Sequence, residues 1–334
     1  MISSSQRGLG LTQTHLQLSA AKLAKPYKLC VPRRHRRCCC SNGEDGDGEQ
    51  LVQHCSMKTW NTPLTDPANP DLPPIVALGK FDAMHKGHRA LCMQAAQMGG
   101  QPWMMSFSGM GEVLGWPARL SLVADSDRPR ILAAWTQDCR GHTPRQRYVP
   151  FAAVRHLQPE DFVAMLAEDL QVAGVVVGEN YRFGYKARGD AKLLQELGQQ
   201  HGISVAITEL LGAGVPGRVG EVSSSRIRRL LGQGRLKRVE ELLGRRYRLM
   251  ARIPPEHMAV TASGQVSVPS SCFSNQPPAA QQYKVDLSIF STAGGEHAHR
   301  GVMMDLMPDN CALLELPHAT DLQSSAGLIL SVDF

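Results

Sequence analysis

An α/β fold on a mostly parallel sheet is predicted by two features of the sequence. Two apolar, β-branched runs, "IVALG" (75–79) and "VAGVVVG" (172–178), read as strands buried on both faces. Each is followed by a helical stretch that stops at glycine, "HKGHRALCMQAAQMGG" and "DAKLLQELGQQHG", and then by another strand-like run, "PWMMSF" and "ISVAITEL". Strands alternating with helices imply a sheet covered on both faces, and ligands in such sheets lie beyond the carboxyl ends of the strands.

Between these halves, "DSDRPRILAAWTQDC" and "QPEDFVAMLAEDL" have helical periodicity, and Pro159 followed by Glu160 and Asp161 makes a good first turn. They predict a helical insert. Near residue 250 the pattern changes: "YKVDLSIF", "GVMMDLM", "CALLELP" and "GLILSVDF" are short strand-like runs separated by turn formers, a small β-rich unit. No internal repeat is visible. The expected organisation is a disordered leader and acidic linker over 1–55, an α/β domain over 70–249 and a β unit over 250–334.

The chain of 334 residues exceeds the roughly 250–300 at which one core stops growing. Its net charge of +6 is unevenly placed, since eight of the 36 Lys and Arg precede the first acid, Glu44, and the remainder carries −2. A broad nucleic-acid-binding face is not indicated. The basic, hydroxyl-rich, acid-free start has the composition of an organelle transit peptide. No run reaches the about 18 apolar residues that a membrane helix needs. The nine cysteines form no CxxC pair, which supports neither a zinc site nor a disulfide framework.

"GKFDAMHKGH" (79–88) lies where the first strand turns into a helix. His85 and His88, three apart, share one face at a helix N-terminus, where backbone N–H groups attract anions, and Gly79 and Gly87 allow close approach. The arrangement suits a phosphate; two solvent-facing helix histidines, or a metal with Asp82 as a further ligand, are the alternatives. A second stretch, "VSSSRIRR" (222–229), opens a helix with three serines after the glycine-rich "LGAGVPGRVGE". One serine suffices as an N-cap. The hydroxyls, the first-turn N–H groups and an arginine fork at Arg228 together suit a polyphosphate, against a solvated basic face as the alternative.

An HxGH after the first strand, with SS(T/S)xxR late in the same domain, resembles the nucleotidylyltransferase superfamily. "VVVGENYRFGYKARGD" (175–190) narrows the resemblance to prokaryotic-type FAD synthetases, over about residues 75–249; the transit-like start points to their plastid-targeted form. The resemblance implies a Rossmann-like nucleotidylyltransferase domain of the HxGH type that transfers AMP from ATP to FMN, with Mg²⁺ on the phosphates. It makes His85, His88 and Arg228 the catalytic residues. It puts Gly79, Phe81, Asp82, Ser224 and Ser225 at ATP, and Asn180, Phe183 and Gly184 at the flavin; it leaves the metal ligand open, with Asn180 the candidate, and core packing is the alternative for Tyr181 and Phe183. Small-molecule substrates, no nucleic acid, no membrane and a plastid location, with the mitochondrion as alternative, are implied.

Departures from the pattern are local. Ala83 stands where glycine is usual, which predicts less room for the adenine or its ribose. Ser225 replaces threonine, and "SFSGMGEVLG" (106–115) replaces an F-x-P-H-P segment. Bacterial members append a riboflavin kinase barrel with a P-T-A-N run, absent from 250–334, which predicts a degenerate kinase-like β domain without kinase activity. An adenylyltransferase for another phosphate acceptor and a weakly active flavin-binding regulator are the other readings.

Overall fold

The computed structural model describes residues 51–209, 222–257, 259–260, 265–291, 296–315 and 327–334. The presequence reading up to residue 50 and the glycine-rich loop before the serines lie outside the described residues. The chain divides into Met1–Gly48 and Glu49–Phe334. All described elements belong to the second unit.

A six-stranded parallel sheet is ordered β1 (Val52–His54), β4 (Arg145–Pro150), β3 (Gln101–Ser108), β2 (Pro74–Leu78), β5 (Gly174–Gly178), β8 (Ser204–Thr208). The chain leaves β2, winds outward through β3 to β4, then returns to the other side of β2 as β5. This reversal creates a crevice beyond the carboxyl ends of β2 and β5. Alternate residues of β2 feed opposite faces, Val76 and Leu78 into one apolar cluster and Ile75 and Ala77 into two others. α1 (Lys86–Gln97) covers one face with Cys92, Ala95 and Ala96. It stops before Gly100, where an added Cβ would lie 2.3 Å from the Pro73 carbonyl oxygen. The opposite face is covered by α5 (Pro159–Ala164), its continuation as a π turn over Met165–Asp169, and α6 (Ala191–Gln200).

The expected insert holds α2 (Met110–Leu114), α3 (Arg128–Ala134), α4 (Phe151–Val154) and α5, but β4 runs among them. That strand is polar and still buried, because each polar side chain has a partner. Arg145 pairs with Asp66 at 2.5 Å, the Gln146 amide donates to Ser106 Oγ, and Arg147 donates to Gln53 and to the Thr62 carbonyl. β1 pairs with β4, so the expected disordered segment ending at residue 55 overlaps the sheet edge. A two-residue ladder, β6 (Arg182–Phe183) with β7 (Gly189–Asp190), closes the turn after β5.

α7 (Ser224–Leu231) and α8 (Leu236–Leu243) lead into a seven-stranded antiparallel sheet. Its strands are β9 (Arg248–Ile253), β10 (Ala259–Val260), β11 (Gln265–Val268), β12 (Gln282–Ser291), β13 (Glu296–Leu306), β14 (Ala312–Glu315) and β15 (Leu328–Asp333), ordered 10-11-14-13-12-15-9. The expected boundary at 249/250 therefore falls inside β9. Ile227, Leu231, Val239 and Leu243 of the two helices share one buried cluster with this sheet. The described cysteines are free thiols.

Candidate active site

The crevice holds a cavity of about 270 Å³, lined by Leu78 and Gly79 at the end of β2, His85, Gly87 and His88 of the following turn, Gly178, Asn180 and Tyr181 after β5, Thr208 and Glu209 after β8, and Val222, Ser223 and Ser224 before and in α7. The two motifs, more than a hundred residues apart in sequence, meet across it.

His85 is the N-cap of α1 rather than a first-turn residue, and its Nδ1 accepts from the His88 backbone N–H at 3.3 Å. An accepting Nδ1 leaves the proton of the neutral ring on Nε2. The imidazoles stack with centroids 3.6 Å apart. A Cβ at Gly87 would lie 3.1 Å from the His85 ring and crowd that stack. Burial, then the Arg245 guanidinium, lowers the His85 pKa to about 4. Enclosure, then His85 itself, holds His88 well below its usual value. Both rings are neutral at physiological pH. His88 Nδ1 is buried with no hydrogen-bond partner among the described residues.

Two arginines that the sequence reading missed hold the turn. Arg128 donates to the Phe81 carbonyl at 3.1 Å, and Arg245 donates to the Ala83 and Met84 carbonyls at 3.0 and 2.6 Å. Desolvation lowers the Arg245 pKa to about 10. The clamp secures a strained backbone: Phe81 and Met84 have φ of 48° and 46°, a region that non-glycine residues rarely adopt. Nothing local marks these arginines in the sequence; only the fold brings them to residues 81–84.

The expected site residues divide. Gly79, His85, His88, Asn180 and Ser224 line the cavity. Phe81 does not: it is fully buried, its ring edge-on to His88 at 4.9 Å. Asp82 faces away to accept from the Leu122 N–H at 2.9 Å and from Arg228 at 2.8 Å. Ser225 is exposed, while Ser223, unassigned from sequence, lines the cavity and caps α7 by accepting from Arg226 N–H at 3.4 Å. Phe183 packs in the core against Phe162, 5.5 Å between centroids, and Gly184, at φ +72°, lies where a Cβ would come 2.9 Å from Pro159. Arg228 is outside the lining and bound to Asp82. Ala83 is fully buried in the cluster shared with α7, α8 and the antiparallel sheet, so its methyl takes no space from the cavity. In the altered 106–115 segment, β3 gives way to α2 between two left-handed glycines, Gly109 and Gly115.

Residues 69–224, which include the two histidines and reach the start of α7, match one family model, described as FAD synthetase. Over this stretch the chain is similar to the FAD synthetase family. Two proteins of Arabidopsis thaliana, "FAD synthetase 2, chloroplastic" and "FAD synthetase 1, chloroplastic", are each 44% identical to the chain, over 64% and 63% of it and over 60% and 62% of themselves. The chain thus spans about three fifths of the length of these curated relatives. A "Bifunctional riboflavin kinase/FMN adenylyltransferase" of Escherichia coli K12 is 27% identical, over 54% of the chain and 56% of that protein. Among solved structures, a protein of Streptococcus pneumoniae titled a macrolide-efflux protein superposes with a TM-score of 0.62 at 17% identity, covering 85% of this chain and 90% of that one. The likeness is one of fold, and it extends beyond residues 69–224.

Proposed function

We propose that the chain is an FMN adenylyltransferase, forming FAD and pyrophosphate from ATP and FMN. The observation that supports this best is the switch-point cavity of the stretch similar to FAD synthetases, with neutral His85 and His88 on one wall and Ser223 and Ser224 on the other. An FMN phosphate oxygen attacks the α-phosphorus of ATP, the bond to the bridging oxygen of the β-phosphate breaks, and pyrophosphate leaves. No covalent enzyme intermediate and no general base are needed, because the FMN phosphate is already an anion. The protein positions the reactants and stabilises charge.

His85 Nε2–H donates to the α-phosphate without bringing a buried positive charge, and His88 meets the same group one turn along. Ser224 and the free N–H groups at the start of α7 hold the leaving phosphates, with Arg228 one turn further along the same face of the helix. Asn180 and Tyr181 bound the acceptor side. No group of three acidic, His or Cys side chains able to hold a metal occurs among the described residues. Such a site suits Mg²⁺ that arrives on phosphate oxygens and keeps several waters, with Asn180 as the protein oxygen that would hold it. The ion would neutralise the charge of the departing pyrophosphate.

The sequence departures over 250–334 support a product limited to FAD, with FMN supplied by another enzyme. The acid-free start and the two chloroplastic relatives support a plastid location, which fusing residues 1–50 to a fluorescent protein would test. No helix among the described residues is long and apolar enough to cross a membrane. For activity, the full chain is incubated with Mg²⁺, ATP and either FMN or riboflavin, and the flavins are separated by chromatography. FAD from FMN and no FMN from riboflavin is expected. Bound FMN with no FAD formed would overturn the adenylyltransferase reading.

A further inference from the structure

Arg228 is held by three parts of the molecule that are distant in sequence. Its Nη2 donates to Asp82 Oδ2 of the β2–α1 turn at 2.8 Å; its Nη1 donates to the Leu120 carbonyl at 2.8 Å and to Gln276 Oε1. Gln276 comes from the segment between β11 and β12, within the antiparallel unit. Its backbone N–H donates to the Ser121 carbonyl at 2.9 Å, and its carbonyl accepts from Tyr247 Oη. The preceding Asn275 is fully buried, with Oδ1 accepting from Met250 N–H at 2.8 Å and Nδ2 within 3.2 Å of the Leu122 carbonyl and 2.9 Å of the Arg248 carbonyl.

The bonds form a closed circuit. Leu122 N–H donates to Asp82 Oδ1, Asp82 accepts from Arg228, Arg228 donates to Gln276, and Gln276 returns to Ser121 beside Leu122. Asp82 lies three residues before His85, and Arg228 lies one helical turn after Ser224, on the same face of α7. The circuit therefore ties the antiparallel unit to both walls of the cavity.

We propose that Gln276 is a positioning residue for adenylyl transfer, acting through Arg228, and that the antiparallel unit completes the phosphate site in this way. The inference rests on the adenylyltransferase reading. A neutral amide is the chemistry the place requires: with the Leu120 carbonyl it fixes Nη1 without cancelling the charge. Asp82 takes one Nη2 donor, and among the described residues the Nε–H and second Nη2–H make no further hydrogen bond, which leaves them for a phosphate. A carboxylate in place of the amide would give the guanidinium two anionic partners and leave little field for a third.

The test measures ATP and pyrophosphate affinity by calorimetry, with KM for ATP and FMN and thermal unfolding alongside, in Gln276→Ala, Gln276→Glu, Arg228→Met and the Arg228→Met/Gln276→Ala double variant. Gln276→Ala is expected to weaken both phosphate ligands about tenfold, the weight of one hydrogen bond to a charged group. Gln276→Glu should weaken them further, and KM for FMN should stay at the wild-type value in both. In the Arg228→Met background, Gln276→Ala should add nothing. Unchanged or tighter affinity in Gln276→Ala, or full additivity in the double variant, would overturn the proposal and leave Gln276 a structural residue. Wild-type protein that binds pyrophosphate but makes no FAD would instead refute the adenylyltransferase reading, and the affinity cycle would still decide the role of Gln276.

Discussion

The β2–α1 turn and the start of α7 face the same cavity, yet the first presents two uncharged imidazoles and the second leads to a guanidinium already paired with Asp82. On the turn, burial removes the charge and strain fixes the geometry; the rings are ready before any ligand arrives. On the helix the charge is kept, and hydrogen bonds from outside the parallel sheet hold its direction. A phosphate site can thus combine a wall that donates hydrogen bonds without a desolvated cation and a wall whose cation stays partly hydrated.

The largest effect should come from breaking the turn's wall. His88→Ala removes one half of the stack and a donor at the α-phosphate, and FAD formation should fall about 10²–10³-fold in kcat, as for a lost donor to a developing negative charge. Next is a pH effect on folding. The folded His85 pKa of about 4 lies below its ordinary 6.5, so as pH falls the unfolded chain takes up the proton first. Stability is therefore lost from near pH 6.5 down to about 4 and is flat below, a loss of about 3 kcal/mol for this group. His85→Asn retains a capping acceptor and does not titrate. Urea unfolding at pH 7 and pH 4.5 should show a smaller difference in that variant than in wild type; an equal difference would mean that burial does not hold the ring neutral.

The core strands, α1 and the residues at the cavity's centre were legible because they follow local rules. β2 and β5 are continuous apolar runs, and the HxGH spacing fixes a cap and a stack within one turn. β4 was missed because its burial is achieved by satisfied Arg145, Gln146 and Arg147, which a hydrophobic pattern cannot show. Arg128, Arg245 and Gln276 were missed for another reason: each acts on a backbone or side chain far away in sequence. Phe183 shows the opposite limit. Its place beside Asn180 in the motif suggested a flavin contact, but alternation after β5 turns it into the core, against Phe162.

The helix wall gives smaller and more finely divided effects. Ser223→Ala removes the α7 cap and should cost about 1 kcal/mol of stability, measured by denaturant unfolding. Ser224 and Ser225, adjacent and chemically identical, should then separate. Ser224 lines the cavity, and its replacement by alanine should raise KM for ATP about five- to tenfold, the weight of one hydrogen bond to an anion. Ser225 is exposed and outside the lining, so Ser225→Ala should change stability by less than about 0.5 kcal/mol and leave KM for ATP unchanged. Equal losses in the two variants would mean that α7 turns when nucleotide binds. Arg228 would then leave Asp82 as part of the same movement, and the circuit through Gln276 would be a feature of the empty site alone.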